Sequence, residues 1–396
     1  MRNRIPSKLG GAALALAAFW AMQPAQAQNF SVIYTFTGGD DGGIPLGNLL
    51  LAQDTLFGTT SQGGANNAGT IFKVPLDVKK IPDIQVETVL HAFAGGPDDG
   101  ADPLSGLILD KAGNLYGTTY RGGAHLRGTV FKIADGSFTL VHSFAGPPSE
   151  GTGPAGTLVM DDAGNLYGTT YSGGHTKRWG TVFEITAAGN YKTGQSFAPG
   201  GALPRAGLVL ESGALYGTTF GGPARLYGGT VFQVGVTNAL YTFTGGADGS
   251  QPMAGLIGDG EGNLYGATSD GGNGSFGNGN GVIFEFNIGT SGETVLYTFT
   301  GPDGAEPAGS LVRDSDGNLY GTTVLGGAFG YGTVFELDTL GDLFTLYSFT
   351  GAADGAYPYA GLVLDSSGNL WGVASRGGSA AAPNGYGTVF EITPAT

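Results

Sequence analysis

GNLYGTTYSGGHTKRWGTVFEI, residues 164–185, combines two phrases that recur along the chain with one that does not. Its ends, GNLYGTT and GTVFEI, return almost unchanged elsewhere, whereas the centre HTKRW occurs once. The leucine of the LYG phrase (LFG in the first copy, LWG in the last) falls at Leu56, Leu115, Leu166, Leu215, Leu264, Leu319 and Leu370. The spacings are 59, 51, 49, 49, 55 and 51 residues, which makes seven units of about fifty. That period fits one four-stranded propeller blade.

Each unit contains four short apolar or aromatic runs separated by turn residues, and no segment carries a helical period. In the last unit the first run is Gly361–Asp365, and Asp365 to Asn369 forms a tight turn into the LWG run. A Gly-Gly loop then leads to GTVFEI. The fourth run ends in phenylalanine, as at Leu346–Phe349. Alternation within LYGTT puts apolar or small residues on both faces, as a sheet between two neighbours requires. Glycine beside the bulky aromatics is expected to let adjacent sheets approach closely.

The copies of the fourth run are Ile33–Phe36, Val89–Phe93, Leu140–Phe144, Gln195–Phe197, Leu240–Phe243, Leu296–Phe299 and Leu346–Phe349. The first precedes the first full unit and none follows the last GTVFEI. The N-terminal strand is therefore placed to complete the last blade, leaving no exposed sheet edge. The expectation is all-β: one seven-bladed β-propeller of four-stranded blades over residues 28–396, its ring closed by that strand.

Residues 1–27 read as a secretory signal peptide. Arg2, Arg4 and Lys8 precede the apolar GGAALALAAFWAM, and the small-residue sequence Ala25-Gln26-Ala27 follows. The apolar core is shorter than the roughly 20 residues needed to span a bilayer. No later stretch reads as a membrane span, so the expected product is a monomer exported to the periplasm or secreted. Without the leader, 14 Lys and Arg stand against 32 Asp and Glu, formally −18. Such a surface disfavours nucleic acid and anionic membrane. The absence of cysteine excludes disulfides, cysteine–zinc sites and thiol nucleophiles. Glycine at 77 of 396 residues, in a chain 41% hydrophobic, punctuates a regular fold.

The phrases GNLYGTT, GTVFEI and FTGGADGSQPMAGL resemble the GloVer-type tandem repeat family of exported bacterial proteins. The resemblance covers the whole mature chain in seven copies. It implies a propeller-like exported protein and carries no catalytic residues with it.

Seven copies serve as their own control: a residue that recurs at one position is architectural, and one that breaks the pattern asks for another reason. The loop entering each blade reads roughly GxxDGxxP, with acids at Asp41, Asp99, Glu150, Asp248, Asp303 and Asp354 and none in the fourth blade. A ring of carboxylates could hold calcium, although their regular recurrence favours turn-making and backbone capping; no other cofactor is indicated. The glycine-rich loop from Asp270 to Gly281 is expected to be flexible. His91 and His142 occupy positions held elsewhere by tyrosine and read as framework.

The loop between the second and third runs varies most. It holds Arg121, Arg127, Lys177, Arg178, Arg225 and Arg376, six of the 14 basic residues. With Arg205 and Trp179 they are the candidate ligand-binding set, for an extracellular glycan or another anionic ligand held on the loop face of blades 2–4. The competing reading pairs these cations with rim acids. His125, His175 and Tyr227 lie in the same loops and are the candidate proton-transfer groups. No HExxH, phosphate loop, nucleophile elbow or dinucleotide fingerprint is present. Arg313 is expected to reach the channel or to pair with Asp314. The leading reading is thus a binding module. The alternatives are a lyase acting on an acidic, uronate-containing polysaccharide, and a structural protein-interaction scaffold.

Overall fold

The computed structural model describes residues 29–76, 87–175, 179–198, 201–221, 228–273, 277–378 and 384–394. The expected leader, together with Lys177, Arg178, Arg225 and Tyr227, lies outside the described residues. Seven antiparallel sheets form a seven-bladed β-propeller. Blade 3 shows the pattern: Val159–Met160, Leu166–Gly173, Thr181–Ile185 and Tyr191–Ser196 follow one another from the channel to the rim. The seventh sheet takes its outermost strand from the start of the chain. Asn29–Thr35 pairs with Thr388–Thr393, Phe30 opposite Ile392 and Tyr34 opposite Val389, which closes the ring as expected. No helix among the described residues is long and apolar enough to cross a membrane.

The repeated phrases are explained by packing within and between blades. In LYGTT the glycine faces the phenylalanine of TVFEI across the ladder, Gly168 opposite Phe183. A β-carbon on Gly168 would lie 2.5 Å from the Phe183 ring and 2.9 Å from Leu158 of the same blade. The glycine thus makes room for an aromatic ring in its own sheet, rather than for the neighbouring sheet as expected from sequence. The second threonine bonds its partner across the ladder in five blades, as Thr170 Oγ1 does with Thr181 Oγ1 at 2.8 Å. The first threonine reaches the next blade, Thr59 donating to the Ser105 carbonyl and Thr169 to that of Ala206. At the axis a β-carbon on Gly47 would meet the Ser105 carbonyl at 2.3 Å, so the inner segments of adjacent blades touch backbone to backbone.

In the entry loops the residue before proline is left-handed. Ile44, Asp102, Leu203, Gln251, Glu306 and Tyr357 have φ of 54–60°, in a region that L-residues seldom occupy. Hydrogen bonds hold them there. Leu203 N donates to the Trp179 carbonyl of the preceding blade, and the Leu203 carbonyl accepts from Phe220 N. The turn delivers the residue after proline, Arg205 in blade 4, to the channel mouth.

Candidate functional site at the channel mouth

The six loop acids do not converge as a ring. Each accepts a hydrogen bond from the tyrosine or histidine that ends the preceding blade's fourth strand. The pairs are Tyr34–Asp41, Tyr241–Asp248 and Tyr347–Asp354 at 2.9 Å, Tyr297–Asp303 at 2.6 Å, and His91–Asp99 and His142–Glu150 at 3.1 Å. Each also accepts a backbone N–H in its own turn, as Asp99 does from Ala94. In five of the six, Tyr241 excepted, a one-residue bulge just before the aromatic turns it toward its acid, for example between Val130 and Phe131 of the ladder carrying His142. His91 and His142 are therefore framework groups. Burial holds His142 below the ordinary histidine range and outweighs the opposing pull of Glu150. Among the described residues no three His, Asp or Glu side chains gather to hold a metal. The glycine-rich loop is organised around Asp270, whose carboxylate accepts the N–H groups of Gly271, Gly277 and Gly279.

The basic candidates separate by their surroundings. Arg121 pairs with Asp102 at 3.3 Å, the rim pairing that the competing reading anticipated. Arg127 lies along the loop at Gly146, with its guanidinium about where a β-carbon there would be, and its carbonyl accepts Gly153 N. Arg376 bridges through its backbone to Ala356 and lies close enough to Tyr359 to act on its ionisation. Trp179 packs against the cluster of Val182, Phe197, Leu208 and Phe232 between blades 3 and 4. His125 and His175 are exposed at loop tips. Arg313 forms no ion pair with Asp314; its guanidinium lies 5.8 Å from the Tyr265 ring of blade 5 and near Asp259.

Arg205 is placed differently. Its guanidinium carbon lies 4.3 Å from the centroid of Phe220 and 5.3 Å from that of Tyr171, and it forms no ion pair among the described residues. Arg205 and Tyr359 line the same small cavity of about 100 Å³ at the channel mouth. Tyr120 continues the aromatic surface beside Tyr171, ring centroids 6.4 Å apart. The three rings occupy one repeat position, immediately after the LYGTT strand. That column reads Ser61, Tyr120, Tyr171, Phe220, Ser269, Val324 and Ser375, aromatic only in blades 2–4. A comparison of blades column by column would have found them. Burial and then Glu306 raise the Tyr359 phenol above its ordinary range. A half-buried cation held between aromatic rings can bind a carboxylate or sulfate while the rings stack on a sugar face.

Solved structures share the architecture at low identity. The chain matches an oligogalacturonate lyase of Vibrio parahaemolyticus with a TM-score of 0.54, 10% identity, and coverage of 93% of this chain and 97% of that one. An extracellular domain assigned to a hybrid two-component system of B. thetaiotaomicron matches at 0.55 and 11%, over 91% of this chain and 39% of that one. A gluconolactonase of Xanthomonas campestris matches at 0.48 and 13%, over 94% and 93%. No curated relative matches the chain in sequence. The Gloeobacter/Verrucomicrobia repeat matches residues 10–232 and again 225–396. The chain therefore belongs to the Gloeobacter/Verrucomicrobia repeat family.

Proposed function

We propose that the protein is an exported, monomeric binding module that holds an acidic glycan on the loop face of blades 2–4. The observation that carries this reading is Arg205, stacked between Phe220 and Tyr171 at the channel mouth without an acidic partner among the described residues. In a chain of formal charge −15 such a cation is not there for solubility. Tyr120, Tyr171 and Phe220 supply the stacking surface, and the Arg205 fork supplies recognition of a uronate carboxylate or a sulfate.

A lyase acting on the same polymer is the second reading. Arg205 would neutralise the carboxylate, and His175 or Tyr227 would take the adjacent proton. The protein of similar fold from Vibrio parahaemolyticus is an oligogalacturonate lyase. That likeness concerns the fold, so the lyase reading rests on chemistry alone. The test is calorimetric titration with polygalacturonate, a sulfated glycan and a neutral glucan, with absorbance of unsaturated product followed in parallel. Binding of an acidic polymer, weakened by Arg205→Ala and producing no absorbance, supports the module. Product lost in His175→Ala supports the lyase. Failure to bind either acidic polymer overturns both.

A further inference from the structure

At the outer rim, the residue four positions before Tyr34, His142 or Gln195 of the fourth strand faces the tyrosine or histidine of the preceding blade. Phe30 stacks on Tyr347 at 3.8 Å, Phe138 on His91 at 4.0 Å and Tyr191 on His142 at 4.3 Å. In blades 1 and 5 the position belongs instead to Glu87 and Glu293. Glu87 is 3% exposed, and neither of its carboxylate oxygens has a hydrogen-bond partner. Glu293 leaves Oε1 buried and unpartnered. Its Oε2 lies 3.3 Å from the Tyr241 hydroxyl, which donates to Asp248 at 2.9 Å.

A phenol has one hydrogen to give. At the first junction Tyr34 gives it to Asp41 and nothing is left for Glu87; at the second, Tyr241 faces two carboxylates at once. Asp41 and Glu87, with Asp40, line a cleft of about 600 Å³ that also includes Ala65, Thr88 and Val89. Burial, then the charge of Asp41, push Glu87 up to about 7, and burial, then Asp248, do the same to Glu293. Among the described residues no cation pairs with Glu87 or Glu293. A proton on Glu87 would remove its negative charge but leave both oxygens without partners, a cost comparable to a lost hydrogen bond for each. A metal cation satisfies both oxygens at once.

We propose that each junction is a site for a hard divalent cation, calcium first, held by Asp41 and Glu87 between blades 7 and 1 and by Asp248 and Glu293 between blades 4 and 5. Calcium takes six to eight oxygens, so water completes each shell. Two carboxylates place the affinity on the order of 10⁻⁴–10⁻³ M. The ion would clamp adjacent blades, one of them at the closure of the ring.

Equilibrium dialysis with calcium measures the stoichiometry, and terbium luminescence sensitised through Tyr34 and Tyr241 reports the same sites. About two ions per chain are expected at millimolar calcium. Glu87→Gln and Glu293→Gln should each remove one ion, and each should lose part of the calcium-dependent rise in melting temperature. No saturable binding overturns the proposal, as does binding that both variants retain. Variants stabilised equally with calcium and with chelator also overturn it, since they identify the missing charge as a proton. Should a variant fail to fold, the wild-type stoichiometry decides, and fewer than two ions overturns the proposal.

Discussion

Phe30 lies flat on Tyr347, their planes inclined by 7°, and so joins the first described strand of the chain to the sixth blade. The same ring meets Phe349 edge-on at 5.8 Å and packs on the core of blade 7 beside Phe390. Ring closure thus combines a β-ladder with an aromatic seam. Phe30 is only partly buried, so Phe30→Ala should cost about 1–3 kcal/mol, below the 3–5 of a fully buried phenylalanine. Denaturant midpoints measure it. Deleting Asn29–Thr35 should do more, exposing the edge of Thr388–Thr393 to proteolysis and association.

Gly168→Ala tests the glycine of the repeated phrase. Its β-carbon would sit 2.5 Å from the Phe183 ring in a packed interior, and about 1–3 kcal/mol should be lost as that ring shifts. Gly96→Ala is the control, because a β-carbon there meets nothing within 4 Å and no left-handed φ constrains it. Equal midpoints for the two variants would contradict the role given to the Gly168–Phe183 pair.

The architecture was legible because period, strand count and a displaced fourth run are one-dimensional properties. Leu56 to Leu370 recur every 49–59 residues, and Ile33–Phe36 lacks a blade of its own at the N-terminus. What packs against a residue is three-dimensional, and there sequence reasoning went astray. The LYG glycine serves Phe183 in its own sheet, and only the structure decides between the two readings of Arg121 by holding it on Asp102. Leu203 and its counterparts escaped notice because a residue before proline ordinarily favours extended backbone. Only the inter-blade hydrogen bonds reveal why they depart from it. The arginine at the channel mouth was found by its break with the pattern. Its partners Tyr171 and Phe220 were missed because the variable loop drew attention away from the column beside it.

Five hairpin turns share one device that sets the acid limit of stability. Asp110, Asp161, Asp259, Asp314 and Asp365 each accept two backbone N–H groups and the amide of the following asparagine. Burial pushes these carboxyls up, but the hydrogen bonds outweigh it and hold all five below the ordinary aspartate range. A depressed folded pKa contributes stability that is present above the unfolded value, about 3.9, and is lost as pH falls through the folded one. Melting temperature should therefore drop steeply below about pH 4. In Asp314→Asn the melting temperature at neutral pH should be lower and the acid-side slope shallower. An unchanged slope in that variant would remove the turn from this role.

Charge and planarity can be separated at Arg205. Were the site only a positive field, Arg205→Lys would bind polygalacturonate as wild type does. The guanidinium lies 4.3 Å from Phe220, and such stacking favours a flat, weakly hydrated cation whose fork remains free for a carboxylate. Lysine keeps the charge and loses both properties. Arg205→Lys should therefore weaken binding about tenfold, and Arg205→Ala further, with neither shifting the melting temperature much. Phe220→Leu, with Arg205 intact, should approach the lysine variant, because the cation loses the ring that orients it. Raising salt should weaken wild type and Phe220→Leu alike and affect Arg205→Ala least, since that variant lacks the screened charge. Equal affinity of wild type and Arg205→Lys at every salt concentration would reduce the site to its charge alone.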